Sequence, residues 1–253
     1  MPAKRSQAVP ILVGLVSLVV LWQVLALVIG QDIILVAPWQ VVVKLVQLLP
    51  QAGFWATIGA SLTRIVAGFL MAFTLGALAA LACSNRWAAA VVGAIMSLLR
   101  SVPVASIIVL LLIWSDSTYL SLWVSFLMVL PLVCSNTREG LDAREVKMAE
   151  MAQVFGFSAG RRWWAITLPG LLPYLRSAAR VGFGMAWKAG VSAELIGIPT
   201  GSIGERLYQA KLYVSTADLF AWTAVIVAFS YLCERAMLWG LGRAEAGLGR
   251  YGR

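Results

Sequence analysis

The chain has 253 residues, of which 61% are hydrophobic and 12% are charged, and its formal net charge is +9. Soluble domains contain about 25% charged and about 45–50% apolar residues, so one water-soluble core could not bury this much apolar surface. The composition therefore excludes an ordinary soluble protein and predicts a membrane protein. The basic residues lie between apolar runs, which favours cationic cytoplasmic loops over nucleic-acid binding.

Apolar runs of spanning length predict about six transmembrane helices in an all-α, polytopic membrane helical bundle. They cover approximately residues 11–30, 61–84, 90–114, 118–137, 174–197 and 217–240. The first run follows Lys4 and Arg5. It is too long for the apolar part of a signal peptide, which has about 7–15 residues, so we predict a retained helix. Pro103 lies inside the third run and predicts a kink or an interfacial start.

The loops between these runs predict the orientation of the chain. If the N-terminus is cytoplasmic, the cytoplasmic segments are 1–10, 85–89, 138–173 and 241–253, and they contain most of the Lys and Arg residues. The extracytoplasmic segments contain three, namely Lys44, Arg206 and Lys211. This asymmetry predicts a multi-pass protein of the bacterial inner membrane with both termini in the cytoplasm. The outside segment 38–50 predicts a short helix at the membrane surface, and a poorly ordered loop is the alternative.

Two predicted helices carry a small residue at every fourth position. These residues are Gly68, Ala72, Gly76, Ala80 and Ser84 in one helix, and Ala178, Gly182, Ala186 and Gly190 in the other. Such stripes let helix backbones approach closely in lipid. They indicate tight helix packing and carry no chemistry of their own.

The longest internal hydrophilic segment, 138–173, predicts two short helices. The first ends at Gly156, which suits a helix C-cap, and Ser158 is placed to cap the second. The second carries Arg161 and Arg162, and Pro169 is predicted to end it. A short basic and aromatic helix could lie on lipid headgroups or dock into a groove of another protein, and the residues alone leave both open.

The same segment resembles a known family. Glu150, Ala152, Gly156, Ile166, Leu168 and Pro169 stand at the spacing of the EAA motif of ABC importer permeases, with Met151 in place of the first alanine of that motif. The resemblance implies that the cytoplasmic loop 138–173 is the coupling element, which sits in a cleft of a separate ATPase subunit. Those six residues, together with Arg161 and Arg162, are therefore the predicted ATPase-coupling residues.

Further stretches resemble the nitrate, sulfonate and taurine branch of these permeases. They are Ala60–Arg64 with Gly68-Phe69, Leu99–Pro103 with Ile113-Trp114, Trp187-Lys188, Ala193-Glu194 and Gly201–Gly204. The resemblance implies one permease domain over residues 1–253, with a family-like core of about 55–240 and a type I-like importer fold. The implied solute is small and polar, either a sulfonate-, nitrate- or taurine-like anion or a compound similar to a thiamine precursor.

The resemblance also implies partners. They are a second permease copy in a homodimer, two ABC ATPase subunits that bind ATP and magnesium, an extracytoplasmic solute-binding protein, and the membrane lipid. No cofactor is expected in this chain itself.

Two charges inside the predicted span 174–197 are candidates for the translocation pathway. Lys188 and Glu194 should face the bundle interior or water, because a charge facing mid-bilayer lipid costs about 2.5–3.5 kcal/mol. They either line the pathway or pair structurally with a neighbouring helix or the second copy, and both interpretations remain open. Arg64 and Arg180 lie closer to the interfaces, where long cationic side chains reach the headgroups.

Several absences bear on function. The sequence has no histidine and no GxxxxGK[ST] phosphate-binding loop, which argues against ATP binding in this chain. Its three cysteines, Cys83, Cys134 and Cys233, form no CxxC pair, so we predict no metal site. Without histidine the sequence has no Ser-His-Asp set, so we predict no catalytic residues. The alternative function is an ion-driven secondary transporter, although the chain shows no convincing internal repeat.

Overall fold

A computed structural model describes residues 8–83, 85–143, 151–152 and 154–248. The described part of the chain is helical and contains no strand, which confirms the all-α prediction. Its helices are α1 (Ala8–Ile29), α2 (Pro38–Leu48), α3 (Ala52–Ala82), α4 (Arg86–Ser101), α5 (Val104–Trp114), a 3₁₀ turn (Ser117–Tyr119), α6 (Leu120–Asp142), α7 (Ala159–Arg162), a π turn (Trp163–Thr167), α8 (Leu168–Gly197), α9 (Ile203–Leu212) and α10 (Thr216–Leu248).

Four helices within the described residues, α1, α3, α6 and α10, are long and apolar enough to cross a membrane. The bent pair α4–α5 adds a fifth span if it crosses as one unit. Helix α8 has 30 residues, which is more than the roughly 20 that a span needs. It carries four charged residues, namely Arg176, Arg180, Lys188 and Glu194, and these lower its hydropathy. A count of six spans requires that α8 also crosses the membrane, and it stays a prediction.

The third predicted span is broken at Pro103. Helices α4 and α5 meet there at an angle of 101°, because proline has no N–H group to donate and forces the residue before it out of the helical region. The predicted kink is confirmed, and no single straight helix covers 90–114. The arms of 16 and 11 residues are about 24 and 16 Å long, so neither crosses the roughly 30 Å core alone.

The two stripes of small residues hold the centre of the bundle together. Gly68, Ala72, Gly76 and Ala80 of α3 are buried, and a side chain at Gly68 would overlap the backbone oxygen of Leu122 in α6. The stripe of α8 is buried as well. The Ser125 hydroxyl of α6 donates to the backbone oxygen of Ala186 in α8 at 2.9 Å. Helix α6 thus packs closely against both stripes. Ser84 lies outside the described residues.

Three polar contacts join the segments predicted to lie outside to each other and to the ends of predicted spans. Lys44 Nζ of α2 lies 3.1 Å from Asp218 Oδ1 of α10, and Thr216 Oγ1 donates to the Ile33 backbone oxygen at 2.6 Å. Trp22 Nε1 of α1 donates to the Val36 backbone oxygen at 3.0 Å. The segment 38–50 contains helix α2, so the alternative of a disordered loop is wrong. All of these contacts lie at one end of the bundle, called here the α2 end.

Candidate coupling loop and translocation face

The turn of the hydrophilic segment has the geometry that its sequence predicts. Gly156 has a φ of +66°, and the Phe157 N–H donates to the Ala152 backbone oxygen at 2.9 Å. This six-to-one bond with a left-handed glycine is the Schellman ending of a helix. Ser158 Oγ accepts from the Arg161 N–H at 3.4 Å, which caps the next helix. Glu150 lies outside the described residues.

The second helix of the segment does not end at Pro169, so this prediction is wrong. After α7 the chain widens into the π turn Trp163–Thr167, in which the Leu168 N–H donates to the Trp163 backbone oxygen. It then continues without interruption into α8, and Pro169 lies in the first turn of that helix. Local sequence rules miss the π turn, since no residue type marks it.

The surface of this segment combines cations with exposed apolar side chains. Arg161 and Arg162 are exposed, and the Arg161 guanidinium lies over the Phe157 ring at 5.7 Å. Val154, Phe155 and Trp164 are also exposed. Of the other predicted coupling residues, Pro169 is exposed, Ile166 and Leu168 are half-buried, and Ala152 is buried. Loops of this make-up either lie at the headgroups or fit a groove of another protein.

Glu194 lies at the junction of four structural elements near the α2 end and is fully buried. Its Oε2 accepts from Ser61 Oγ of α3 at 2.6 Å, and its Oε1 accepts from Ser121 Oγ of α6 at 3.1 Å. The Gly204 N–H of α9 donates to Oε2 at 3.4 Å. The Ser61 hydroxyl also accepts from the Ile203 N–H of α9 at 2.9 Å. One carboxylate therefore ties α3, α6 and α9 to α8.

Arg64 supplies the positive charge nearest to this carboxylate. Its Nη1 lies 3.7 Å from Glu194 Oε1, and its side chain is 18% exposed. That nitrogen is buried and forms no hydrogen bond to a described residue. Arg64 thus turns inward instead of reaching for the headgroups. Arg180 pairs with Glu234 of α10, with Nε 3.1 Å from Oε1. Glu194 therefore pairs with side chains of neighbouring helices in this structure. Its role in the translocation pathway stays a prediction.

Lys188 lies on a different face of α8 from Glu194. It lines a groove of about 460 Å³ together with Val104 and Ile108 of α5, Met128 of α6, and Ser192. The side chain is exposed, and no carboxylate of a described residue lies within ion-pair distance. The groove is mainly apolar, and Lys188 is the one charged residue among the described residues that line it. The structure does not bring the two predicted pathway residues together.

Sequence reasoning missed the serines that surround Glu194. Ser61 is 133 residues from Glu194 along the chain, and a single serine in an apolar run gives no signal of its own. Ser61 does fall within the stretch Ala60–Arg64 that carries part of the family resemblance. This position was therefore visible in the sequence, but its contact with Glu194 was not.

Comparison with known proteins decides the family. Residues 65–234 match the model of the binding-protein-dependent transport system inner membrane component. The chain belongs to this family. The permease is 28% identical to the taurine transport system permease protein of Escherichia coli, over 92% of this chain and 87% of that protein. It is 27% identical to the nitrate import permease protein of Synechocystis, over 87% and 81% of the two chains.

The fold has a solved counterpart. A chain of the MetNI methionine ABC transporter in inward-facing conformations superposes with a TM-score of 0.56 at 17% identity, over 77% of this chain and 96% of that one. At this identity the likeness shows the fold alone. Family and fold together establish a multi-pass permease subunit of an ABC importer, which works with an ATPase and a solute-binding protein. The ion-driven secondary transporter is thereby set aside.

Proposed function

We propose that two copies of this permease form the transmembrane core of an importer for a small solute that carries an oxyanion group. The unpaired Lys188 in the groove between α5, α6 and α8 is the observation that carries this proposal. An ammonium group there offers an attractive contact to a passing anion. Two ATPase subunits and one solute-binding protein complete the importer.

The position of Lys188 supports the dimer. Lys188 lies nine residues before the end of α8 at Gly197, which is about 14 Å along the helix axis. At that depth a charge facing lipid costs about 2.5–3.5 kcal/mol, so intramembrane charges face a partner or a water-filled cavity. A second copy that covers the groove would enclose Lys188 in a hydrated pathway. The same face of a lone subunit would leave the ammonium in lipid.

Two similar proteins are named for taurine and for nitrate, and both compounds carry an oxyanion. A solute similar to a thiamine precursor is the second candidate within this branch, because the sequence resembles those permeases too. A ligand screen of the partner binding protein by thermal shift separates the two. Stabilisation by a sulfonate or nitrate supports the first candidate, and stabilisation by a pyrimidine supports the second.

Replacing Lys188 by Met should lower uptake strongly while the complex assembles and its basal ATPase activity persists. Methionine keeps most of the length of the side chain but removes the charge. A charge-assisted contact is worth about 1.5–3 kcal/mol, so uptake at low substrate should fall about tenfold or more. The measurement is uptake into proteoliposomes that contain the permease and its ATPase, with the binding protein present.

Two further variants control this experiment. Lys188→Arg keeps the charge and should retain most of the uptake, whereas Lys211→Met removes an exposed charge of α9 and should change little. Normal uptake by Lys188→Met would remove Lys188 from the pathway and leave it a structural role.

We also propose that residues 154–167 face the cytoplasm and the α2 end faces outward. The distribution of Lys and Arg supports this orientation. In a variant without native cysteines, an impermeant thiol reagent added outside should label Tyr213→Cys and should not label Gly160→Cys. Both positions are exposed. Labelling of Gly160→Cys alone from outside would invert the topology and remove the loop from the reach of an ATPase.

A further inference from the structure

A cavity with two arginines lies between α4 and α6, away from the Lys188 groove. It has a volume of about 190 Å³, and its lining includes Ser97, Arg100, Ser135 and Arg138. The Ser135 hydroxyl donates to the Pro131 and Leu132 backbone oxygens, which leaves Ser97 and the two arginines as donors to a ligand. None of the described residues that line it is acidic. Arg100 donates through Nη2 to the Pro131 backbone oxygen at 2.8 Å. Since a guanidinium carries five N–H donors, others stay available.

The second arginine is only loosely neutralised. Arg138 Nε lies 3.7 Å from Asp142 Oδ2, and both side chains are largely exposed to solvent. An exposed pair at that distance contributes little, because water screens it. The cavity therefore has a surplus of positive charge and two planar donor groups. Guanidinium groups of this kind bind phosphate oxygens in pairs.

The cavity opens where the bundle meets the membrane surface. Cys83, which also lines it, follows the last residue of α3. Arg138 lies four residues before the last residue of α6. Both helix ends belong to the end of the bundle opposite α2. Phosphate groups of lipids lie at this depth, and basic pockets between helices on the cytoplasmic side bind such headgroups.

Helix α4 separates this polar site from an apolar stripe. Gly93, Ser97 and Arg100 face the cavity. The opposite side of the helix exposes four large apolar residues, Trp87, Val91, Ile95 and Leu98. None of the described residues of α4 is buried. A spacing of four, four and three residues places these side chains on one face. The stripe therefore faces away from the cavity, on the far side of α4.

We propose that this cavity is a binding site for a phosphate group, supplied either by an anionic phospholipid headgroup or by free phosphate. The two guanidinium groups hold the phosphate oxygens, and the Ser97 hydroxyl adds a neutral donor. The bound phosphate would hold α4 against α6 next to the break at Pro103.

The lipid source is tested by native mass spectrometry of the full chain, purified in detergent and titrated with phosphatidylglycerol. Arg138→Gln removes one cation. Gly93→Leu adds bulk to the cavity that Gly93 lines while keeping both charges, and a Cβ at Gly93 meets no other atom within 4 Å. Each variant should weaken the tightest lipid adduct about tenfold or more. Arg86→Gln is the matched control, since Arg86 belongs to the same helix but lies over the Trp87 ring at 5.6 Å.

The phosphate source is tested on delipidated protein, with inorganic phosphate titrated at constant ionic strength against chloride. A saturable rise in Tm that both Arg138→Gln and Gly93→Leu abolish indicates free phosphate as the ligand. Asp142→Asn removes the carboxylate that pairs with Arg138. It should therefore tighten binding of lipid or of phosphate, in the assay where the wild-type protein binds that ligand. Wild-type binding by Arg138→Gln and Gly93→Leu in both assays, or equal loss with Arg86→Gln, would overturn the proposal.

Discussion

Gly156→Val should leave the permease in the membrane and dimeric, yet uncouple it from its ATPase. The left-handed backbone at this position, with a φ of +66°, costs a β-branched residue about 1–3 kcal/mol. The strain moves the chain on both sides of the turn, which misplaces Val154 and Phe155 relative to Arg161. A short docking segment makes few contacts, so ATPase recovered with tagged permease should fall about tenfold, and uptake should fall with it.

Gly160→Val is the matched control, because the same substitution there falls in α7, where an added side chain meets nothing within 4 Å and the φ is not positive. It should preserve most of the ATPase recovery. Wild-type recovery and wild-type uptake in Gly156→Val would show that this loop is not the coupling element. That outcome would refute the proposed role of residues 150–169.

Glu194→Met should destabilise the bundle more than any other single removal of charge in the described residues. It leaves Arg64 buried without its counter-ion and takes the acceptor from Ser61 and Ser121. Breaking a buried pair from one side costs about 3–5 kcal/mol. The expected result is a large fall in Tm of the purified permease, together with faster proteolysis around α9, which loses the hydrogen bond that links it to Glu194 of α8.

A double-variant cycle separates the pair from the rest of the cluster. Arg64→Met together with Glu194→Met should recover part of the stability lost by Glu194→Met alone, since no buried charge is then left unpaired. The exposed pair of Arg180 and Glu234, with Nε 3.1 Å from Oε1, is the control. Glu234→Met should cost at most about 1 kcal/mol. Equal effects of Glu194→Met and Glu234→Met would contradict the anchor role of Glu194.

The features that the sequence predicted correctly are local ones. The turn at Gly156 and Ser158 depends on residues within six positions of each other, and the break at Pro103 depends on one missing N–H group. The stripes on α3 and α8 follow from a period of four residues. Composition and spacing are sufficient for such features, because backbone chemistry decides them before any tertiary contact forms.

The features that escaped prediction depend on distant contacts. Ser61 and Ser121 meet Glu194 across 133 and 73 residues of chain, and no local pattern announces either contact. Pro103 predicted a kink between α4 and α5 but not its size of 101°, because a missing N–H group breaks a helix without fixing the direction of the next one. Pro169 failed as a helix end because the π turn before it lets the chain continue.

The π turn Trp163–Thr167 also sets the rotational phase between the two parts of one continuous helical run. A π turn holds one residue more than an α-helical turn, which shifts everything before it by about 100° around the axis. The π turn therefore sets the direction in which Arg161 and Arg162 point relative to the face that α8 presents to α6. Insertion or deletion of one residue here re-aims the docking surface and leaves the intramembrane register untouched.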